Sequence, residues 1–140
     1  MNDRFFLDTN IFVYSFDRGA PQKAKKAEQL IRKAMTTKKG VVSYQVVQEF
    51  FNVAVKRFSH PMHLADAEQY LATVFRPLLA VHSSAALYAE ALRLQSAAGL
   101  SWYDALIVSS AMQANCDELY TEDLQSGQKF GALQVRNPFI

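Results

Sequence analysis

The sequence predicts an α/β fold, with a parallel sheet of four or five strands covered by helices on both faces. Three observations carry this reading. Short apolar runs alternate with longer stretches of helical periodicity. The runs are apolar throughout rather than every second residue, as in strands buried on both faces. Turn and cap chemistry separates each run from the helix that follows. At 140 residues and 50% hydrophobic, the chain fits one domain, residues 1–140, and is too short to divide comfortably into two.

Arg4 to Leu7 is the first predicted strand, and it runs into Asp8-Thr9-Asn10, a helix start. Gly19-Ala20-Pro21 breaks the chain, and Pro21 suits the first turn of a second helix. That helix is expected to end near Lys38-Lys39-Gly40, with cations in its last turn and glycine just beyond. Val41-Val42 is a second strand. From Tyr44 to Phe58, Val47, Phe50, Phe51, Ala54 and Phe58 keep helical spacing. Ser59-His60-Pro61 closes this helix and opens another, running to about Phe75. Leu78 to Val81 reads as a third strand, and Ser84 to Ala98 as a helix closed by Gly99. Ser101 to Cys116 is apolar around most of its circumference, so a buried helix is expected. Glu118 to Tyr120 is a fourth strand with Thr121-Glu122-Asp123 at its exit, and Leu133 to Val135 a fifth.

Composition excludes several classes. Half the residues are apolar and the formal charge is only +2, which is incompatible with disorder. The single cysteine, Cys116, can form no internal disulfide, so a reducing compartment is expected. Phe5-Phe6-Leu7 is stopped at once by Asp8, too short for a secretory core, and no window approaches a membrane span. A cytoplasmic protein with no membrane partner is expected. The charge is uneven: residues 1–60 carry 11 basic and 5 acidic groups, residues 61–140 carry 4 and 8. Lys23, Lys25 and Lys26 open the basic stretch, which is either a solvated helix face or a surface that meets phosphates.

Four of the 13 acids sit where acids are costly. Asp8 follows Phe5-Phe6-Leu7, Glu49 lies within Val46-Val47-Gln48-Glu49-Phe50-Phe51, Asp104 lies within Trp102-Tyr103-Asp104-Ala105-Leu106, and Asp123 follows Leu119-Tyr120. A carboxylate in such surroundings must be paired, hydrogen-bonded or bound to a metal. Taken singly, each has a plain structural role: Asp8 and Asp123 as helix caps, Asp104 in a capping box with Ser101, and Glu49 paired to Lys56 or Arg57. Topology favours a joint role. Asp8 and Asp123 leave the carboxyl ends of two strands, while Glu49 and Asp104 stand near the starts of helices. Those features share one edge of a parallel sheet, where ligands of open α/β folds bind.

Four converging carboxylates repel unless a cation compensates, and oxygen-only ligation selects a hard ion such as Mg²⁺ or Mn²⁺. His60, His63, His82 and Cys116 form no zinc ligand set. A metal held by acids can promote displacement at a phosphate, which would give the basic segment a substrate. Tyr44 and Trp102, near predicted helix starts, could stack on unpaired bases or serve in the core or an interface.

The segments Phe6-Leu7-Asp8-Thr9-Asn10, the helix with Glu49, Ser101-Trp102-Tyr103-Asp104-Ala105-Leu106-Ile107 and Leu119-Tyr120-Thr121-Glu122-Asp123-Leu124 resemble, in order, the four signature segments of PIN-domain nucleases. The subgroup they are most similar to is the VapC-type toxins of toxin–antitoxin pairs. The resemblance implies a Rossmann-like α/β/α sandwich and a Mg²⁺-dependent endoribonuclease. It implies Asp8 and Asp104 as principal metal ligands, with Asp123 and Glu49 completing the site directly or through water. Asn10 and Thr121 match positions that support such a site by hydrogen bonding. Where some relatives carry a further acid, this chain has Gln125. An RNA substrate, a small antitoxin partner and a homodimer are the associations implied.

The same residues bear on other classes. An inactive binding module keeps the fold without the chemistry. A phosphoryl-accepting domain needs an acid after its third strand, where Val81-His82 stands, and a late lysine, for which only Lys129 is available. The five glycines form no phosphate-cradling loop.

Overall fold

The computed structural model describes residues 2–140. Phe5, Phe6 and Leu7 form strand β1 (Phe5–Leu7), and all three side chains are buried because β1 lies inside the sheet. The other strands are β2 (Gly40–Ser43), β3 (Leu79–Val81), β4 (Glu118–Tyr120), β5 (Lys129–Phe130) and β6 (Leu133–Arg136), in the spatial order β3-β2-β1-β4-β6-β5. Neighbouring strands from β3 through β6 are parallel, as expected, and β5 adds an antiparallel edge to β6.

The chain lays down β1, β2 and β3 in one direction and then returns to place β4 on the opposite flank of β1. The connections leaving β1 and β4 therefore part company, and a crevice opens outside their carboxyl ends. The backbone N–H of Asp8 donates to the Tyr120 carbonyl at 3.0 Å, which joins the two strand ends directly beneath that crevice.

The helices are α1 (Thr9–Tyr14), α2 (Pro21–Thr37), α3 (Tyr44–Ala54), α4 (Leu64–Tyr70), α5 (Arg76–Leu78), α6 (Ala85–Ala98) and α7 (Trp102–Gln113). Their starts follow local chemistry. Asp8 caps α1, Ser84 caps α6 by accepting from Leu87 N–H, and Ser101 caps α7 by accepting from Asp104 N–H. Gly99 ends α6 in the left-handed conformation. Helix α7 is buried continuously from Ala105 to Ala111, packed against α6, β2 and β4. None of the described helices is long and apolar enough to cross a membrane.

Four local expectations are corrected. Lys38, not a glycine, takes the left-handed residue after α2, its N–H bonded to Ala34 O. Gly40 serves packing instead: a Cβ there would lie 2.1 Å from the Ala34 Cβ. Helix α3 stops at Ala54, because Lys56 and Arg57 both donate to the Val53 carbonyl in a closing turn. The apolar spacing that continued to Phe58 reports burial rather than helix, since Phe58 packs on Phe16 and Phe50.

The next helix begins at Leu64 rather than at Pro61, and it passes through a π-helical turn over Leu71–Phe75 into α5. Pro77 supplies the cause: it offers no N–H and its ring would strike the Thr73 carbonyl of a regular helix, so the turn widens. Strand β5 was not foreseen. Two residues joined to β6 through Gly131, which has positive φ, are too few to show a period.

Candidate active site

Asp8, Glu49, Asp104 and Asp123 line a single cavity of about 390 Å³ at the crevice between the ends of β1 and β4. Asp8 enters from β1, Asp123 from the segment after β4, Glu49 from the second turn of α3, and Asp104 from the first turn of α7. A larger cleft of about 950 Å³ adjoins it, sharing Val13 and Val53, but gathers none of these four acids. The chemistry therefore lies in the smaller cavity.

Asp8 is the most constrained of the four, buried to 5% exposure. One carboxylate oxygen accepts from Thr9 N–H at 2.7 Å, and the other accepts from the Thr121 hydroxyl at 2.7 Å. Desolvation pushes its pKa up to about 7, opposed by the bonds from Thr121 and Thr9 and reinforced by the charges of Asp123 and Glu49. Asp123 stands at the exposed mouth. Its pKa is also raised, by partial desolvation and by the neighbouring Asp104, while the bond from Asn10 works the other way.

Asn10 and Thr121, singled out from sequence, connect these acids. The Thr121 hydroxyl accepts from Asp123 N–H at 3.0 Å, and Asn10 Nδ2 donates to Asp123 at 3.2 Å and to Thr121 at 3.4 Å. Thr9 was missed; its hydroxyl donates to Glu49 at 2.8 Å and so aims α3's carboxylate toward the β1 end. Its position between Asp8 and Asn10 was the available signal. Glu122 was missed as well. It accepts from the Tyr14 hydroxyl and pairs with Lys23 at 3.2 Å.

Lys23 thus stands at the rim of the cavity, engaged with Glu122 and Tyr14 rather than free. Lys25 and Lys26 are exposed on α2 and line no part of the cavity. Tyr44 and Trp102 lie in a neighbouring depression instead. Lys129 sits on edge strand β5, away from the acids, and β3 ends in Val81-His82, so the arrangement a phosphoryl-accepting domain needs is not assembled.

The lining suits a hard cation: five carboxylates, of which Glu122 is already paired with Lys23, with hydroxyl and amide oxygens around them and no sulfur or imidazole. Asn10 Oδ1 is buried beside them with no hydrogen-bond partner, an acceptor that a bound ion or its water would satisfy. With the side chains in these positions, no three acids, histidines or cysteines among the described residues enclose one ion. Hydroxyls and amides hold the carboxylates of Asp8, Glu49 and Asp123 in these positions, which keeps like charges apart.

A profile of the family described as PIN domain matches residues 5–127. No curated protein matches the chain. Among solved structures, a toxin–antitoxin complex from Klebsiella pneumoniae is similar with a TM-score of 0.68 and 19% identity, covering 95% of this chain and 96% of that one. VapBC2 from Rickettsia felis, bound to a DNA fragment from its promoter, gives 0.62 and 21% over 95% and 97%. VapC20 from Mycobacterium tuberculosis, a toxin that cleaves the sarcin–ricin loop, gives 0.61 and 20% over 85% and 91%.

Proposed function

The chain belongs to the PIN domain family, and from that premise we propose that it is a Mg²⁺-dependent endoribonuclease, the toxin of a toxin–antitoxin pair. One observation carries the chemistry: four carboxylates from four separate elements line one cavity at the switch point of a parallel sheet. The toxin assignment is supported by the likeness to a structure described as a toxin–antitoxin complex and to one described as a toxin.

Asp8, Asp104 and Asp123 would hold the Mg²⁺ ion, or Mn²⁺ in its place, with Glu49 completing the acid set. Such an ion, when bound, lowers the pKa of water and offsets charge that develops on a phosphate. The chain's own residues prepare for that. Thr121 and Thr9 fix both oxygens of Asp8, so the carboxylate loses little freedom on engaging a ligand. Thr9 and Asn10 orient Glu49 and Asp123 toward the same crevice. Glu49 would serve as proton acceptor, since the bond from Thr9 engages one carboxylate oxygen and leaves the other open. Lys25 and Lys26 extend a positive surface along α2 that suits the RNA backbone.

An antitoxin that shields this crevice, a homodimer and a cytoplasmic location complete the reading. Incubating the purified protein with RNA tests it. Cleavage should stop in EDTA and return with Mg²⁺ or Mn²⁺, and Asp8→Asn should abolish it. Cleavage undiminished in that variant, or restored by Zn²⁺ alone, would overturn the mechanism.

A further inference from the structure

Beside the acid cavity lies a second, smaller hollow of about 220 Å³, on the same carboxyl edge but between the ends of β2 and β3. Ser43, Tyr44, His82, Tyr88, Trp102 and Tyr103 line it. The β2–β3 register shifts between Val42 and Ser43, and such an irregularity bends the strand end and opens the space. Gln45 and Tyr103 line both hollows, so the two adjoin. Gln45 Nε2 donates to the Tyr103 carbonyl at 3.3 Å, making the partition between them.

The walls are aromatic. Tyr44 meets His82 edge to face, with ring centroids 4.4 Å apart, and Trp102 leans on Tyr88 at 5.9 Å. Tyr44 and Tyr103 remain substantially exposed. The floor is polar. Ser43 is only 3% exposed, yet its hydroxyl has neither donor nor acceptor partner. It occupies the cap position of α3 without making the cap bond that a serine there ordinarily makes. A buried hydroxyl left unpaired costs stability, and such groups mark places where a ligand supplies the missing partner.

We propose that this hollow is a base-binding subsite: it takes one unpaired nucleobase of the RNA strand adjacent to the phosphate held at the acids, stacked on Trp102 and Tyr44 and read at its edge by Ser43. The inference rests on the ribonuclease reading for the identity of the strand. The volume is below the roughly 300 Å³ floor of ordinary small-molecule sites, which suits one ring system rather than a whole nucleotide. Stacking needs an unpaired base, so the subsite selects single-stranded or looped RNA over duplex.

Trp102 is the sole tryptophan, so its fluorescence reports the subsite directly. The probes are the tetranucleotides of A, C, U and G and a short RNA duplex, titrated in EDTA so that nothing is cleaved. Single strands should quench Trp102 and the duplex should not, with one base class binding about tenfold tighter than the rest. Ser43→Ala, which removes only an unpaired hydroxyl, should fold normally and erase that preference while weak stacking persists. Tyr44→Ala should weaken quenching about fivefold or more.

Absent quenching, equal quenching by duplex, or a preference that survives Ser43→Ala would each overturn the subsite. So would ultracentrifugation showing that Trp102 emission follows dissociation of a second copy rather than addition of RNA. The two readings fail separately. Quenching without Mg²⁺-dependent cleavage sinks the nuclease reading alone, and cleavage without quenching sinks the subsite alone.

Discussion

Replacing Asp8 by asparagine separates a catalytic acid from a structural cap. Burial lifts the Asp8 carboxyl from 3.8 to about 7. At about 1.4 kcal/mol per pH unit, holding that group ionised costs the folded chain about 4 kcal/mol at pH 8 in the absence of metal. The sign follows from proton counting. Between about pH 4 and pH 7 the folded chain keeps a proton that the unfolded chain has released, so stability falls as pH rises through that window and levels off above it. Asparagine removes the penalty. It also caps helices as well as aspartate, so the bond from Thr9 N–H can persist. The Thr121 hydroxyl loses its charged acceptor, a loss of about 1 kcal/mol.

Asp8→Asn should therefore be more stable than wild type by about 3 kcal/mol at pH 8 in EDTA, and within about 1 kcal/mol of it at pH 5. Urea unfolding at the two pH values measures this, and thermal melts should show about 10 °C at pH 8. Mg²⁺ should raise the wild-type melting temperature and leave the variant unmoved. A variant less stable than wild type at pH 8, or a gain independent of pH, would show that Asp8 is an ordinary ionised cap and refute the reasoning.

Gly40→Ala should destabilise the fold by about 1–3 kcal/mol, because the new methyl collides with Ala34 of α2; urea denaturation measures it. Apparent Mg²⁺ affinity, read from thermal shift, should fall about tenfold per pH unit below pH 7 as Asp8 protonates, and hold steady above. Thr121→Val deletes a hydrogen bond to the ionised form of Asp8, so the acid limb of the pH–rate profile should move to higher pH. Thr9→Val should lower kcat about tenfold with little change in KM or melting temperature, since it frees Glu49 without touching the core. Lys25→Ala with Lys26→Ala should weaken RNA binding and flatten its salt dependence by about one to two charges; an unchanged slope would return α2 to the solvent.

Much of the fold was legible because its signals are local. Phe5-Phe6-Leu7 is apolar at every position, as a strand covered on both sides must be. Ser84 and Ser101 mark helix starts by their side-chain caps, while Pro21 marks a start and Gly99 an end by their own backbone chemistry. The four acids stood out for a local reason too, as charges within apolar stretches. Signals failed where the cause was a neighbour. The spacing through Phe58 recorded a place in the aromatic cluster around Phe50, and Gly40 reads as a helix terminator until Ala34 is seen against it.

By itself the sequence determined which groups are costly to bury and in what order strands and helices follow. It could not determine which flank of β1 would receive β4, and that crossing alone brings Asp123 to Asp8 across 114 intervening residues. Nor could it show that Lys23 is already engaged by Glu122, or that the Ser43 hydroxyl is sealed without a partner. Hydrogen bonds and desolvation act over a few ångströms of space, and residues far apart along the chain acquire them only once the sheet has closed.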